Sequence, residues 1–327
     1  MLRRWGVVLI ALLVSAVWGL SGCGKQPETP EPTEQTGSGQ SEVVAPAGET
    51  KLRDTVLYYR DASGYVVPVM RQIPWEEGIG RAALRFLIAG SEEDVKLAAR
   101  GIYAPLPAGT QFDLDIEDGL ATVDLTVSGE CESAAEESAM VTAVVNTLIE
   151  FNTVDEVEIW LNGKDLEKLP LGTDVSACFT EPIHNIEPAG APAGRDGKFE
   201  LYFTNQSGTF LVPVLRVLDA ATTPAEAVEE MMAPVEGSGL ISLLPPVTKV
   251  HSVTISEDGV ATIDLSGEFE SLSELPGMER MAVRGLILTL TQFKNIEDVQ
   301  ITINGKPYEP TAATMAGLGS QYLNVFE

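Results

Sequence analysis

At 327 residues the chain exceeds one ordinary domain and suits two, each large enough to bury its own core. Its composition, 44% apolar and 21% charged, is that of a globular protein, but 21 basic against 48 acidic residues leave a formal net charge of -27. That charge excludes nucleic-acid backbones as partners and would be repelled by an anionic lipid surface, so any membrane attachment needs something other than a basic patch.

The N-terminus supplies it. Arg3 and Arg4 make a short basic region, and Trp5 to Leu20 is an apolar run too short to span a bilayer comfortably. The run ends at Leu20-Ser21-Gly22-Cys23, and small residues before a cysteine resemble the lipobox of bacterial lipoproteins. Residues 1–22 therefore read as a lipoprotein signal peptide and Cys23 as the lipidated mature N-terminus. Several acyl chains on one residue give stable anchoring, which places the chain on the extracytoplasmic face of the cell membrane. Residues 23–53, rich in Pro, Thr, Glu, Gly and Ser and without an aromatic side chain, read as a disordered tether.

The rest of the chain is a duplication. Leu57-Tyr58-Tyr59 matches Leu201-Tyr202-Phe203, and Val67-Pro68-Val69-Met70-Arg71 matches Val212-Pro213-Val214-Leu215-Arg216. Leu106-Pro107 returns as Leu244-Pro245, the block Asp118 to Leu125 as Asp258 to Leu265, and Val157 to Lys164 as Val299 to Lys306. Five blocks recur in one order, which defines a first module at 54–170 and a second at 199–310. The Pro- and Gly-bearing stretch 171–198 reads as a linker, and 311–327 as a C-terminal tail.

Within each copy the periods assign the elements. β-branched and aromatic residues around Tyr58 and Val67, split by Asp61-Ala62-Ser63-Gly64, predict a strand, a turn and a strand; the counterpart turn is Asn205-Gln206-Ser207-Gly208. Ile79, Ala83, Phe86 and Leu87 then fall at helical spacing, and in the second copy Thr223 and Glu226 form a capping box with Pro224 in the first helical position. Leu114 and Ile116, the turn Asp118-Gly119, then Val123 and Leu125 predict a hairpin with one buried face. Val141, Val144, Val145, Leu148 and Phe151 form one helix face, repeated by Val283, Leu286, Ile287, Leu290 and Phe293. A last strand ends each copy at Asn162-Gly163 and Asn304-Gly305. The expected fold is α+β: two tandem repeats of β-β-α-β-β-α-β, each a mostly antiparallel sheet with two helices on one face.

The chemical inventory is thin. Two histidines, His184 in the linker and His251 on a strand, cannot build a His-based metal cluster within a module, and no nucleophile elbow, zinc helix, P-loop or dinucleotide fingerprint occurs. Asp113, Asp115, Glu117 and Asp118 alternate like a calcium loop, but the glycine comes one position late, so a solvated strand face is the preferred reading. Arg71 and Arg216 recur as cations, and Asp124 and Asp264 recur as acids; the expectation is a repeated structural ion pair within each module. Cys131 and Cys178 are the thiols left in an exported body, and the sequence leaves them open as a disulfide or as two free thiols. Neither a catalytic residue, a metal ligand nor a cofactor is assigned.

The strand-turn-strand opening, the Leu-Pro block, the Asp-Gly-x-Ala-Thr-[Val/Ile]-Asp-Leu hairpin, the valine-rich helix and the closing Asn-Gly-Lys together resemble the GerMN domain, a module of bacterial sporulation and spore-germination lipoproteins. The resemblance covers residues 54–169 and 199–309. It implies a fold similar to the ring-building modules of trans-envelope assemblies, and a non-enzymatic envelope role in sporulation or germination. The resulting expectation is a tethered interaction module whose partners are the membrane, through its lipid, and other envelope proteins. The alternative is a module that binds peptidoglycan or a small ligand in the groove between the copies.

Overall fold

The structure, a computed structural model, describes residues 51–129, 131–186 and 196–326. The readings made on the signal peptide, on Cys23 and on nearly all of the tether lie outside these residues. The described residues fall in one compact unit.

In the first module β1 (Leu52–Asp61) and β2 (Val66–Pro74) pair as an antiparallel hairpin. Two short helices follow, α1 (Ile79–Arg85) and α2 (Asp94–Ala99), then β3 (Ile102–Tyr103), which adds to the other edge of β1. Next come β4 (Gln111–Glu117), β5 (Leu120–Thr126), α3 (Ala134–Ile149), β6 (Glu156–Leu161) and β7 (Lys164–Asp165), whose strands form a second sheet in the order β4-β5-β6-β7. The second module repeats the plan with β8 (Gly197–Thr204), β9 (Leu211–Leu218), α4 (Pro224–Met231), β10 (Val250–Ile255), β11 (Val260–Leu265), a 3-10 helix (Gly267–Glu274), α5 (Pro276–Leu290), β12 (Asp298–Ile303) and β13 (Lys306–Pro307). A final helix, α6 (Ala312–Leu318), closes the chain.

The α+β class and the duplication stand, with a refinement of the strand arrangement. Each module carries two sheets, because the leading hairpin stays separate from the four-stranded sheet. The central pairs β5–β6 and β11–β12 are parallel, since α3 and α5 are crossover connections that return the chain in the same direction. Helix α3 is buried nearly all round because it lies between the layers. Tyr58 and Val66 of the hairpin meet its Ala139 and Ala143, while Val141, Val144 and Leu148 join Val123, Val157 and Ile159 of the sheet.

Local chemistry fixes the ends of the elements. Thr223 and Glu226 form the capping box at the start of α4, with Pro224 in its first turn. Asp118-Gly119, Asn162-Gly163 and Asn304-Gly305 all have both residues at positive φ, the conformation a two-residue hairpin turn demands.

The hairpins build the shared core. Leu57, Tyr59, Val67 and Val69 of the first fall in one continuous apolar cluster with Leu201, Phe203, Val212 and Val214 of the second. Their opposite faces turn to their own modules, as Tyr202 and Leu211 do toward Leu286 and Met281 of α5. Alternation along each strand thus lets one hairpin serve two cores.

Candidate functional site: the joint between the modules

The stretches read as linker and tail are structural. Phe179 exchanges both backbone bonds with Val157 on the part of β6 that β7 leaves uncovered, at 2.8 and 2.9 Å, and Asn146 of α3 bonds both backbone groups of Ile183 at 2.8 and 2.9 Å. Over 171–186 the stretch read as a linker is instead packed structure, bonded to the first module at Leu171, Thr173, Phe179 and Ile183 and to β9 of the second at Asn185; residues 187–195 lie outside the described residues. Similarly, the tail runs back across the molecule and its segment 324–326 pairs in parallel with β2 at Met70.

Two asparagines organise this exchange. The Asn185 side chain accepts from Val66 N–H and donates to the carbonyls of Val66 and Pro213, each at 2.8 Å, while its own carbonyl accepts from Leu215 N–H of β9. The Asn324 side chain accepts from Leu211 N–H at 2.7 Å and donates to the carbonyls of Leu211 and Pro68 at 2.8 Å, while its carbonyl accepts from Met70 N–H of β2. Under the repeat, Val66, Pro68 and Met70 correspond to Leu211, Pro213 and Leu215. Each module therefore ends by laying a strand on the other module's hairpin.

The hairpin turns make a second reciprocal contact. Asn205, Ser207 and Thr209 all donate to the Arg100 carbonyl beyond α2, at 2.9, 2.6 and 2.6 Å. Ser207 lies so close to Gly101 that a Cβ there would sit 2.6 Å from its hydroxyl, and at the equivalent Gly239 a Cβ would collide with the Ser63 hydroxyl. Both glycines hold positive φ, +72° and +78°.

The sequence-derived ion pairs are corrected by this geometry. Arg71 pairs with Glu93 at 3.0 Å and Arg216 with Glu230 at 2.8 Å, so each arginine finds its acid in the segment after its own hairpin. Asp124 and Asp264 lie in the other layer of their modules, where they accept from the N–H groups of Gly163 at 2.9 Å and Gly305 at 2.7 Å. Each thereby pins the Asn-Gly turn of its own sheet, and the Gly305 N–H, then the Thr302 hydroxyl, hold the Asp264 carboxyl below the usual carboxylate range. Arg71 has a further role, because its guanidinium lies 4.9 Å from the Phe326 ring, which Arg100 approaches at 4.7 Å.

Cys131 and Cys178 are free thiols. Cys131 packs on the core before α3, whereas Cys178 is exposed beside the Phe179 bridge, where Glu158 and Glu156 approach it. Among the described residues no group of acids, histidines and cysteines could hold a metal ion, and Asp113, Asp115 and Glu117 are exposed along β4.

Buried glutamates at the helix starts were not singled out from sequence, although they recur. Glu137 accepts from Leu171 N–H at 2.8 Å and Thr173 N–H at 3.0 Å. Its counterpart Glu279 takes hydrogen bonds from Tyr308, Thr311 and Thr314. Burial alone would raise the Glu279 carboxyl, but these hydroxyl and amide donors outweigh it and hold it below the usual glutamate range.

A family model described as "Germane: Sporulation and spore germination" matches residues 56–167 and 200–309. The chain belongs to that family. Over 341 aligned residues it is 27% identical to the spore germination protein GerM of Bacillus subtilis (strain 168), covering 94% of this chain and 93% of that protein. Its fold matches the solved tandem GerMN domains of the sporulation protein GerM from Bacillus subtilis, with a TM-score of 0.60 at 24% identity over 85% of this chain and all of that one. The chain is thus a tandem Germane protein. Its modules meet around a cleft of about 360 Å3 whose lining includes Tyr58 and Tyr202, Pro68 and Pro213, and the carboxylate-bearing Glu200.

Proposed function

We propose that this Germane protein is a non-enzymatic, lipid-anchored envelope protein that docks other envelope proteins during sporulation or spore germination. The supporting observation is the joint: two modules interlocked by Asn185 and Asn324 make one body, on which β4 and β10 remain edge strands of their sheets. An edge strand offers backbone donors and acceptors that a partner strand can complete, and a braced body orders them at little entropic cost. The recurring charged residues Arg71, Arg216, Asp124 and Asp264 are spent on internal contacts, in keeping with a docking role. Attachment through Cys23 would hold this body outside the membrane. Among the described residues no helix is long and apolar enough to cross a bilayer.

A photo-crosslinker placed at Asp113 on β4 or at Ser252 on β10, in membranes of sporulating cells, should capture a reproducible envelope protein, and a Cys23→Ser variant should leave the membrane fraction. Absence of any crosslinked protein from both strands would count against the docking reading. The cleft flanked by Tyr58 and Tyr202 favours a second reading, a wall glycan or small ligand held between the modules. Retention on purified peptidoglycan that survives high salt would select it.

A further inference from the structure

A second cleft, of about 450 Å3, opens between the modules on the side of α5 and α6. Its lining includes Arg100 of the first module, Arg280 and Arg284 of α5, and Ser320 and Tyr322 to Val325 of the return segment, and among the described residues it contains no Asp or Glu. This is anomalous in a chain with 48 acidic residues against 21 basic ones. Arg60, Arg71, Arg85 and Arg216 each hold a glutamate within 3.0 Å.

Arg280 and Arg284 are treated differently. They stand one turn apart on the same helix face, where like charges repel. Among the described residues Arg280 makes no hydrogen bond or ion pair, and Arg284 donates only to the Ser320 carbonyl at 2.9 Å. Glu279, next to Arg280 in the chain, is already taken by Tyr308, Thr311 and Thr314, and Glu200, which shares a cleft lining with Arg284, accepts from the Tyr202 hydroxyl. Arg284 is half-buried, and burial, then the Arg280 charge, holds its guanidinium below the usual arginine range. Gly317 of α6 leaves room for Arg280, since a Cβ there would collide with the arginine Cδ. The molecule thus maintains two adjacent, mutually repelling guanidinium groups on a cleft wall, and among the described residues neither is paired with an acid.

We propose that this cleft is an oxyanion site for a phosphate monoester, with Arg280 and Arg284 as its guanidinium donors. Guanidinium forks match the paired oxygens of phosphate, and a dianion neutralises both charges where a single carboxylate would leave one uncompensated. The cleft volume is within the range of small-ligand sites. Arg284 also lines the Tyr58 and Tyr202 cleft, whereas Arg280 and Arg100 line this one alone, and the site does not depend on the docking reading.

The test titrates the full-length chain in detergent with glycerol 3-phosphate, and separately with a glycerol phosphodiester of the wall-polymer kind, by calorimetry at ionic strength fixed with chloride. Saturable monoester binding is expected, at least tenfold weaker in Arg280→Gln and Arg284→Gln, with Arg280→Lys retaining part of the affinity. Arg280 is exposed, so its variants should keep the wild-type circular dichroism, and they remain informative if the Arg284 variant unfolds. Absence of saturable binding, or equal binding by the arginine variants, overturns the site. Diester binding as tight as monoester binding overturns the dianion assignment and points to a wall-polymer source.

Discussion

Asn185 and Asn324 stand at corresponding exits of the two modules, and each carboxamide spans both hairpins by bonding one backbone N–H and two carbonyls. The arrangement resembles an isologous dimer interface drawn within one chain, with each surface meeting the other's counterpart. Backbone groups satisfied this way have no alternative partner inside the joint, and Leu211 is 1% exposed.

Replacing either asparagine should therefore loosen the joint more than the module cores. Asn324→Ala leaves a buried N–H and two carbonyls short of a partner, a cost of about 2–4 kcal/mol. Equilibrium urea unfolding should show that loss. Hydrogen exchange should rise at Met70 and Leu211 before it rises on α3. Equal protection changes across both modules would contradict a localised joint.

Asp61 takes the place that Asn205 holds in the second copy. Both accept from the backbone N–H groups of their own turns, Asp61 from Ser63 and Tyr65 and Asn205 from Thr209 and Phe210. Asn205 also donates to the Arg100 carbonyl, whereas the Asp61 Oδ2 is buried without a hydrogen-bond partner. Burial pushes the Asp61 carboxyl up against the lowering effect of those N–H groups. With its folded pKa raised, the ionised form costs stability above that pKa, and the cost vanishes as pH falls below the unfolded value. Asp61→Asn should thus stabilise the protein by about 1 kcal/mol at neutral pH. Thermal unfolding at pH 7 and near pH 3.5 should show the gain shrinking in acid, and a gain that is absent at pH 7 would refute the assignment.

The turn contacts predict a coupled pair. Gly239→Ala must place a Cβ 3.1 Å from the Ser63 Cβ, at a φ of +78° that alanine occupies at a cost of about 1 kcal/mol. Ser63→Gly should relieve the clash but not the backbone strain. A double-mutant cycle over these positions should therefore give a favourable coupling energy for the pair of replacements, and an additive cycle would mean the turn does not rest on Gly239.

Much of this was legible in the residues. The duplication, the capping box at Thr223, the hairpin at Asp118-Gly119, the turn at Asn162-Gly163 and the helix faces of α3 and α5 all follow from local periods and turn chemistry, whereas the short strand β7 after that turn does not. What escaped was long-range. Arg71 and Asp124 recur together, yet they belong to different layers, and recurrence carries no distance. The exits at 171–186 and 322–326 look like linker and tail because their backbone bonds go to segments far along the chain. One signal was available: His184-Asn185-Ile186 and Leu323-Asn324-Val325 share an asparagine followed by a β-branched residue just beyond each repeat.

Glu279 should make the second module acid-sensitive. Its carboxylate is fully buried and gathers Tyr308, Thr311 and Thr314, which ties the start of α5 to the segment leading into α6. Because its folded pKa lies below the ordinary glutamate value of 4.5, its contribution is complete above that value and is lost as pH falls through the folded pKa. Glu279→Gln keeps the shape but gives up charge-assisted bonds, at a cost of about 2 kcal/mol at neutral pH. The variant's stability should then change less than wild type's between pH 6 and pH 3. Chemical denaturation followed at Tyr308, with Trp75 and Trp160 in the first module as the internal comparison, would read the difference where it arises. Identical acid limbs for the two proteins would show that another carboxylate controls the transition.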